Sequence, residues 1–209
     1  MSTRKTRRYV SRLRADAAES SKAGVLDAAR ALFVRRGIDA VTIAQIARKA
    51  GVSVPTVYAH FKSKEGILRA LLKGALFGPR YQKALERLAG EKDAVRLIEL
   101  TAVVARSIYE GESAELGLVR GSSAFSPALR RTEQEFESMR FDMQEERVRL
   151  LFEQRKARKD LSFEEARRIL WMYTSREIYR MLVQESGWTP DRYQAWLSRT
   201  LVATLVEPA

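Results

Sequence analysis

The stretch GVSVPTVYAHFKSKEGIL, residues 51–68, crowds Pro55, Thr56, Tyr58 and the chain's only histidine, His60, into six positions. Ser53 is a residue type whose hydroxyl accepts from a free N–H at a helix start, and the spacing predicts a helix from there to about Phe61. Pro55 falls in the first turn, where the missing N–H has no helical partner to lose. Val57 and Phe61, four apart, face inward with Val52. Val54, Pro55, Thr56, Tyr58 and Ala59 are left mostly outside. Small apolar groups, a hydroxyl and a phenol on an exposed helix suit the edge of a duplex. Short side chains permit close approach, methyl and ring carbons touch a thymine methyl, and hydroxyls donate to phosphates or base edges. Each residue also has a plainer reading: Tyr58 packed on a neighbour, His60 satisfied within the protein, Lys62 and Lys64 solvated, Pro55 a stiffener.

Working outward, Val25, Leu26, Ala29, Leu32 and Phe33 recur at three and four residues and predict a helix over 21–36, closed by Gly37. Thr42 caps a second helix with Ile43, Ile46 and Ala47 as its core positions, and Gly51 turns the chain into the third. Helix, helix, glycine turn, helix is the grammar of a helix-turn-helix. Ser63 caps a fourth helix, which Gly78 and Pro79 end or kink. Further helices are expected at about 80–89, 93–110, 114–122, 127–158, 162–186 and 190–206, the last with Thr189 as cap and Pro190 in its first turn. Strand-like alternation is almost absent, so the expected fold is all-α, about nine helices. Residues 1–20 read as a flexible basic arm, 21–66 as the helix-turn-helix domain, and 67–209 as a C-terminal helical bundle.

The formal charge of +12 is unevenly placed: residues 1–64 hold 14 Lys and Arg against 4 Asp and Glu, a net of +10. Such a local excess is the electrostatic footprint of a polyanion partner, and double-stranded DNA is the obvious one. A membrane surface attracts the same charge, but the 53–61 helix lacks the broad apolar face that surface binding needs. There is no cysteine, so thiolate nucleophiles and thiolate metal sites are excluded. With one histidine, no glycine-rich phosphate loop and no nucleophile-elbow spacing, an enzyme is the weaker reading. No catalytic residue, metal or cofactor is expected. No apolar run is long enough to span a bilayer and no signal peptide stands at the start, so the expected location is cytoplasmic.

Residues 42–68, TIAQIARKAGVSVPTVYAHFKSKEGIL, resemble the DNA-binding signature of the TetR family of bacterial transcriptional regulators, and the likeness extends over 21–72 with ARALFVRRGIDAVTI ahead of it. The C-terminal WMYTSREIYRMLVQESGWTPDRYQAWLSRTL, 171–201, also looks like the end of many members. The resemblance implies a homodimer on a palindromic operator. In it Thr42 bonds a phosphate, Val54, Pro55 and Thr56 face the groove, Tyr58 and His60 contact backbone or base, and Lys64 binds phosphate where the fourth helix starts. Ser53 and Lys62 complete the candidate set. Val54 cannot hydrogen-bond a base, so readout there is apolar. Family precedent favours a repressor released by a small-molecule effector; an activator or a ligand-independent regulator is the alternative.

The last two expected helices carry candidates for the contact between two copies: Phe163, Leu170, Tyr193, Trp196, Leu197, Leu201 and Leu205. Apolar residues on more than one side suit packing against both a chain's own core and a second subunit. The candidate effector pocket comprises Tyr109, Arg120, Phe125, Phe141, Trp171, Tyr173 and Glu177, with Met172 and Arg176 nearby. Aromatic residues at helical spacing are also what an ordinary core contains.

Overall fold

A computed structural model describes residues 3–111, 117, 120–121 and 124–208. Its regular secondary structure over these residues is helical, apart from an isolated antiparallel bridge between Ala157 and Val206. The chain divides into two compact units, residues 1–72 with 114–132, and residues 73–113 with 133–209.

The first unit opens on α1 (Thr3–Arg36), followed by α2 (Ile43–Ala50), α3 (Val54–Phe61) and most of α4 (Lys64–Leu76). α1 is one unbroken helix from Thr3 to Arg36. Val25, Ala28, Ala29 and Phe33 of α1 are buried with Ile38 and Val41 of the following turn, Ile46 and Ala47 of α2, and Val57 and Phe61 of α3. Leu26 and Leu32 are only half-buried, because Ala28 beside Ala29 turns the stripe slightly past them. This compact unit runs to Leu72, and Ile67, Leu68, Leu71 and Leu72 are all buried.

The local signals act as elementary capping chemistry requires. Thr42 and Gln45 form a reciprocal capping box, the Thr42 hydroxyl accepting from the Gln45 N–H at 3.2 Å and Gln45 Oε1 accepting from the Thr42 N–H at 3.0 Å. Gly51 ends α2 with φ +69°, a left-handed conformation that side chains rarely adopt. Lys62 adopts φ +65° after α3, donating its N–H to the Tyr58 carbonyl at 3.0 Å. Gly66 answers this corner: a Cβ there would lie 1.8 Å from the Phe61 carbonyl oxygen.

The second unit comprises α5 (Pro79–Glu86), α6 (Ala94–Glu110), most of α7 (Pro127–Glu153), α8 (Phe163–Tyr173), the single turn α9 (Arg176–Tyr179) with a π-helical turn at Arg180–Glu185, and α10 (Pro190–Leu205). α10 packs chiefly on α6 and also on α8. Ile98, Ala102, Ala105 and Tyr109 of α6 meet Val148 and Leu151 of α7, Leu170 of α8 and the α10 stripe in one apolar cluster. The helix expected over 114–122 lies largely outside the described residues.

The single helix expected over 162–186 is broken at Thr174. Its buried hydroxyl donates to the Leu170 carbonyl at 2.7 Å and accepts from Arg140 Nη1 at 2.7 Å and Gln144 Nε2 at 2.8 Å. The Tyr109 hydroxyl donates to the Thr174 carbonyl at 2.9 Å. Ser175 then caps the next turn by accepting from the Ile178 N–H at 3.4 Å. Threonine and serine side chains compete with the helix for its backbone groups, and here buried partners decide the contest.

The corner at Gly66 yields a paired prediction. Gly66→Ala should lower the first unit's stability by about 3 kcal/mol, because the backbone itself must move. Gly74→Ala, exposed in α4 with open space around its Cβ, should raise stability by about 0.5–1 kcal/mol. Urea unfolding followed by circular dichroism measures both; equal midpoints for the two variants would refute the clash.

Candidate nucleic-acid interface

α3 meets the rest of the head along Val57 and Phe61, 0% and 9% exposed, which leaves its opposite side to solvent. That side carries Val54 at 36% and Tyr58 at 48% exposure, with Pro55 and Ala59 exposed between them. These positions follow the one-four-five rhythm of a single helix face. Pro55 stands in the first turn, as expected.

Ser53 and Thr56 begin the helix together. The Ser53 hydroxyl accepts from the Thr56 N–H at 3.2 Å, and the two hydroxyls share a hydrogen bond of 2.8 Å. One of their two O–H hydrogens is used in that bond, and the other is left to donate outward. Thr42 is exposed, and its oxygen accepts within the capping box, so its own O–H also points its hydrogen at an outside acceptor. Both helix starts thus present hydroxyl donors beside free N–H groups, an arrangement suited to phosphate.

His60 lies in the last turn of α3, half-buried and edge-on to Phe61 at 6.1 Å between ring centroids. It is close enough to α1 that its charge helps to hold the Glu19 carboxyl below the usual range, after the larger effect of a hydrogen bond from Lys22. Lys62 is exposed beyond the helix end. Arg48 and Lys49, absent from the sequence-derived set, are exposed in the last turn of α2 immediately before the glycine turn. Their signal, two adjacent cations ahead of Gly51, was present in the sequence.

Lys64 departs from its expected role. Its Nζ donates to the carbonyls of Ile38 at 2.8 Å, Val41 at 3.1 Å and Asp39 at 3.4 Å. An ammonium has three hydrogens, and all three are directed at the protein's own turn between α1 and α2. Lys64 is therefore a clamp within the head, because that turn's carbonyls have no helical partners and the lysine reaches them first. Beside it, Ser63 accepts from the Gly66 N–H at 3.1 Å. The Glu65 carboxyl is held below its usual range by a bond from its own backbone N–H, with Ser63, Arg131 and Lys64 adding to the effect against the opposing pull of burial. Ser126, ahead of α7, donates to Asp39 Oδ1 at 2.9 Å, and Arg131 pairs with Glu65 at 3.4 Å.

The other two candidate groups are not assembled as expected. Leu170, Tyr193, Leu197, Leu201 and Leu205 are fully buried within a single chain, so they are its core and have no surface left for a second copy. The amphipathic stripe of α10 was legible; which partner it meets was not. Phe163 and Trp196 alone of that set remain half-buried, Phe163 against Phe152 and Trp196 against Tyr173, Trp188 and Tyr193.

The candidate pocket residues are divided between the two units. Arg120 and Phe125 belong to the first unit, and Phe125 is 87% exposed. Tyr109 is packed into the second unit's core beside Tyr179. Phe141 and Trp171 meet edge to face and line a shallow cleft of ≈ 360 Å³ with Glu137, Asp142 and Arg168. Tyr173 packs on Trp196, and Glu177 is exposed and paired with Arg176 and Arg180. Among the described residues no group of three or more His, Cys, Asp or Glu is placed to hold a metal ion, and no helix is long and apolar enough to cross a membrane.

The clamp predicts that Lys64→Met, which keeps the stem and removes the donors, costs the head about 2 kcal/mol. It should leave the salt dependence of duplex binding unchanged. A lower unfolding midpoint with an unaltered salt slope is expected in denaturation and titration; a shallower slope would return Lys64 to the phosphates.

The arrangement of caps, turn and reading face coincides with a known domain model, that of the bacterial regulatory proteins of the tetR family, which matches residues 25–71. The HTH-type transcriptional regulator SrpR of Pseudomonas putida is 46% identical over 55 residues, 26% of this chain and 26% of that protein. The match thus spans about a quarter of its length. Over the whole chain the likeness is one of fold. NalD, the secondary repressor of the MexAB-OprM multidrug efflux pump in Pseudomonas aeruginosa, superposes with a TM-score of 0.69 at 23% identity, covering 92% of this chain and all of that one. SmeT, in its complex with triclosan, superposes with a TM-score of 0.65 at 22% identity, covering 90% and 93%. Over residues 25–71 the chain thus matches the tetR family of bacterial regulatory proteins, within a fold it shares with such proteins along most of its length.

Proposed function

We propose that this protein is a DNA-binding transcriptional regulator that acts as a homodimeric repressor on a palindromic operator and is released by a small-molecule effector. The observation that carries the reading is the exposed face of α3, where Val54, Pro55, Tyr58 and Ala59 stand together beside cap hydroxyls with hydrogens to donate. Residues 1–64, the part of the chain that includes α3, carry a net charge of +10, which supplies the sequence-independent share of duplex affinity. Small side chains allow α3 to enter the major groove, and Tyr58 gives it one long group with a polar tip.

One such helix reads too little sequence for a selective site, so two chains present two copies about 34–36 Å apart or at a multiple of that spacing. NalD is described as a repressor and SmeT as a complex with triclosan, and these support repression and a small-molecule effector here. The effector changes DNA affinity only by binding one arrangement of the two reading heads better than another. α4 is the covalent path for this coupling: it begins at the Lys64 clamp and ends at Leu76, which is buried in the second unit's cluster. Gly78 and Pro79 follow, where α5 begins.

Tyr58→Ala should weaken operator binding by at least about tenfold, the lower end of what one good base or backbone contact contributes. Helicity and oligomeric state should be unchanged, since Tyr58 supports no core contact. Gel-shift titration on genomic fragments captured by the protein, with sedimentation and circular dichroism alongside, tests this. Full-strength binding by the variant would remove α3 from the groove.

A further inference from the structure

The cleft between α7 and α8, within the second unit, adjoins a guanidinium with an unused donor. Arg140 is only 8% exposed. Its Nη1 donates to the Trp171 carbonyl and to the Thr174 hydroxyl, both at 2.7 Å, and its Nη2 donates to Glu137 at 2.5 Å. Its Nε–H is buried with no acceptor, and so is the Nε1–H of Trp171. The two residues meet, the guanidinium carbon lying 5.3 Å from the indole centroid. Nearly all buried N–H groups in folded proteins are paired, so two orphan donors on touching residues point to an acceptor brought by a ligand. Glu137 and Trp171 also line the ≈ 360 Å³ cleft, together with Phe141, Asp142 and Arg168.

The rings of this cleft already hold cations. Arg140 stands over Trp171, and the Arg167 guanidinium, paired with Glu145 and Glu164, stands 4.0 Å from the Phe141 centroid. Arg168 lies 6.0 Å from the same ring. A ring with a cation against it is a poor host for another cation and a better one for an electron-rich ring. Of the two lining carboxylates, Glu137 is spent on Arg140, and Asp142 is exposed, where solvent screens it.

We propose that this cleft binds a small aromatic carboxylate and that such an acid is the protein's effector class. The inference rests on the reading of the protein as an effector-released regulator and names the chemistry of that effector. The ligand's ring lies against Phe141 and Trp171. Its carboxylate accepts from Arg140 Nε and displaces Glu137 from Nη2, the two-pronged pairing a guanidinium favours. Arg168, exposed beside Phe141, adds attraction for the anion. The volume is near the lower end of the roughly 300–1,000 Å³ usual for ligand sites, which suits one or two rings. The same guanidinium holds the Trp171 carbonyl and the Thr174 hydroxyl where α8 ends, so an acid on Arg140 acts at that break.

The test titrates the full-length protein with 2-naphthoate, 2-naphthamide and 2-naphthylmethylammonium by calorimetry. Indole N–H signals are followed by NMR, that of Trp171 being assigned with Trp171→Phe. The acid should bind at least about tenfold more tightly than the amide or the ammonium, the share of one charge-assisted hydrogen bond, and should shift the Trp171 signal. Glu137→Gln, which removes the competing carboxylate from a half-exposed position, should tighten naphthoate binding several-fold, and Arg168→Gln should weaken it. Preference for the ammonium would overturn the proposal in favour of Glu137 and Asp142 as the recognising groups. Absence of naphthoate binding, or binding that neither variant alters, would also overturn it. A gel-shift titration with naphthoate separates this inference from its parent. Unchanged duplex affinity in the acid-bound protein would overturn the effector assignment and leave α3 as the reader. Failure to bind any duplex would remove the regulator reading, and the effector assignment with it, whatever the cleft binds.

Discussion

Lys64 holds the reading head together at the place where three elements meet. Its ammonium occupies the carbonyls of Ile38, Asp39 and Val41, groups that the end of α1 and the start of α2 leave without helical partners. Because Lys64 is also the first residue of α4, the same contact sets how the chain leaves α3. The left-handed Lys62 and the bare Cα of Gly66 beside the Phe61 carbonyl complete that corner. The angle at which Tyr58 stands out from the head follows from this small set of backbone contacts. A cation in the motif thus orients the exposed face of α3.

The same turn receives a second element. Ser126 donates to Asp39, and Arg131 pairs with Glu65 next to the clamp. The first turns of α7 therefore rest on the two ends of the corner that positions α3. α7 then runs unbroken to Glu153, carrying Arg140 and Gln144 to the buried hydroxyl of Thr174.

The second unit shows how one apolar stripe is used up. Tyr193, Leu197, Leu201 and Leu205 recur along α10 on a single side, and α6 and α8 cover that side completely. Any contact with another chain must use groups outside this stripe. Met172 and Met181 are large apolar side chains left exposed in α8 and the π-helical turn. Burial of the stripe drives the folding of one chain.

Short-range chemistry was legible in the sequence. The Thr42 cap, the Ser53 cap with Pro55 after it, the glycine turn at 51 and the outward set of Val54, Pro55, Tyr58 and Ala59 depend on residues at most a few positions apart. Their identities suffice, since a hydroxyl, a missing N–H or a missing Cβ acts on its immediate neighbours. What depended on partners distant in sequence was decided only in three dimensions. Lys64 reaches carbonyls 23 to 26 residues away, Thr174 is broken out of its helix by side chains 30 and 34 residues away, and α10's stripe could have met its own chain or another. The periodicity of a helix states which side is apolar, and only the tertiary structure states what that side meets.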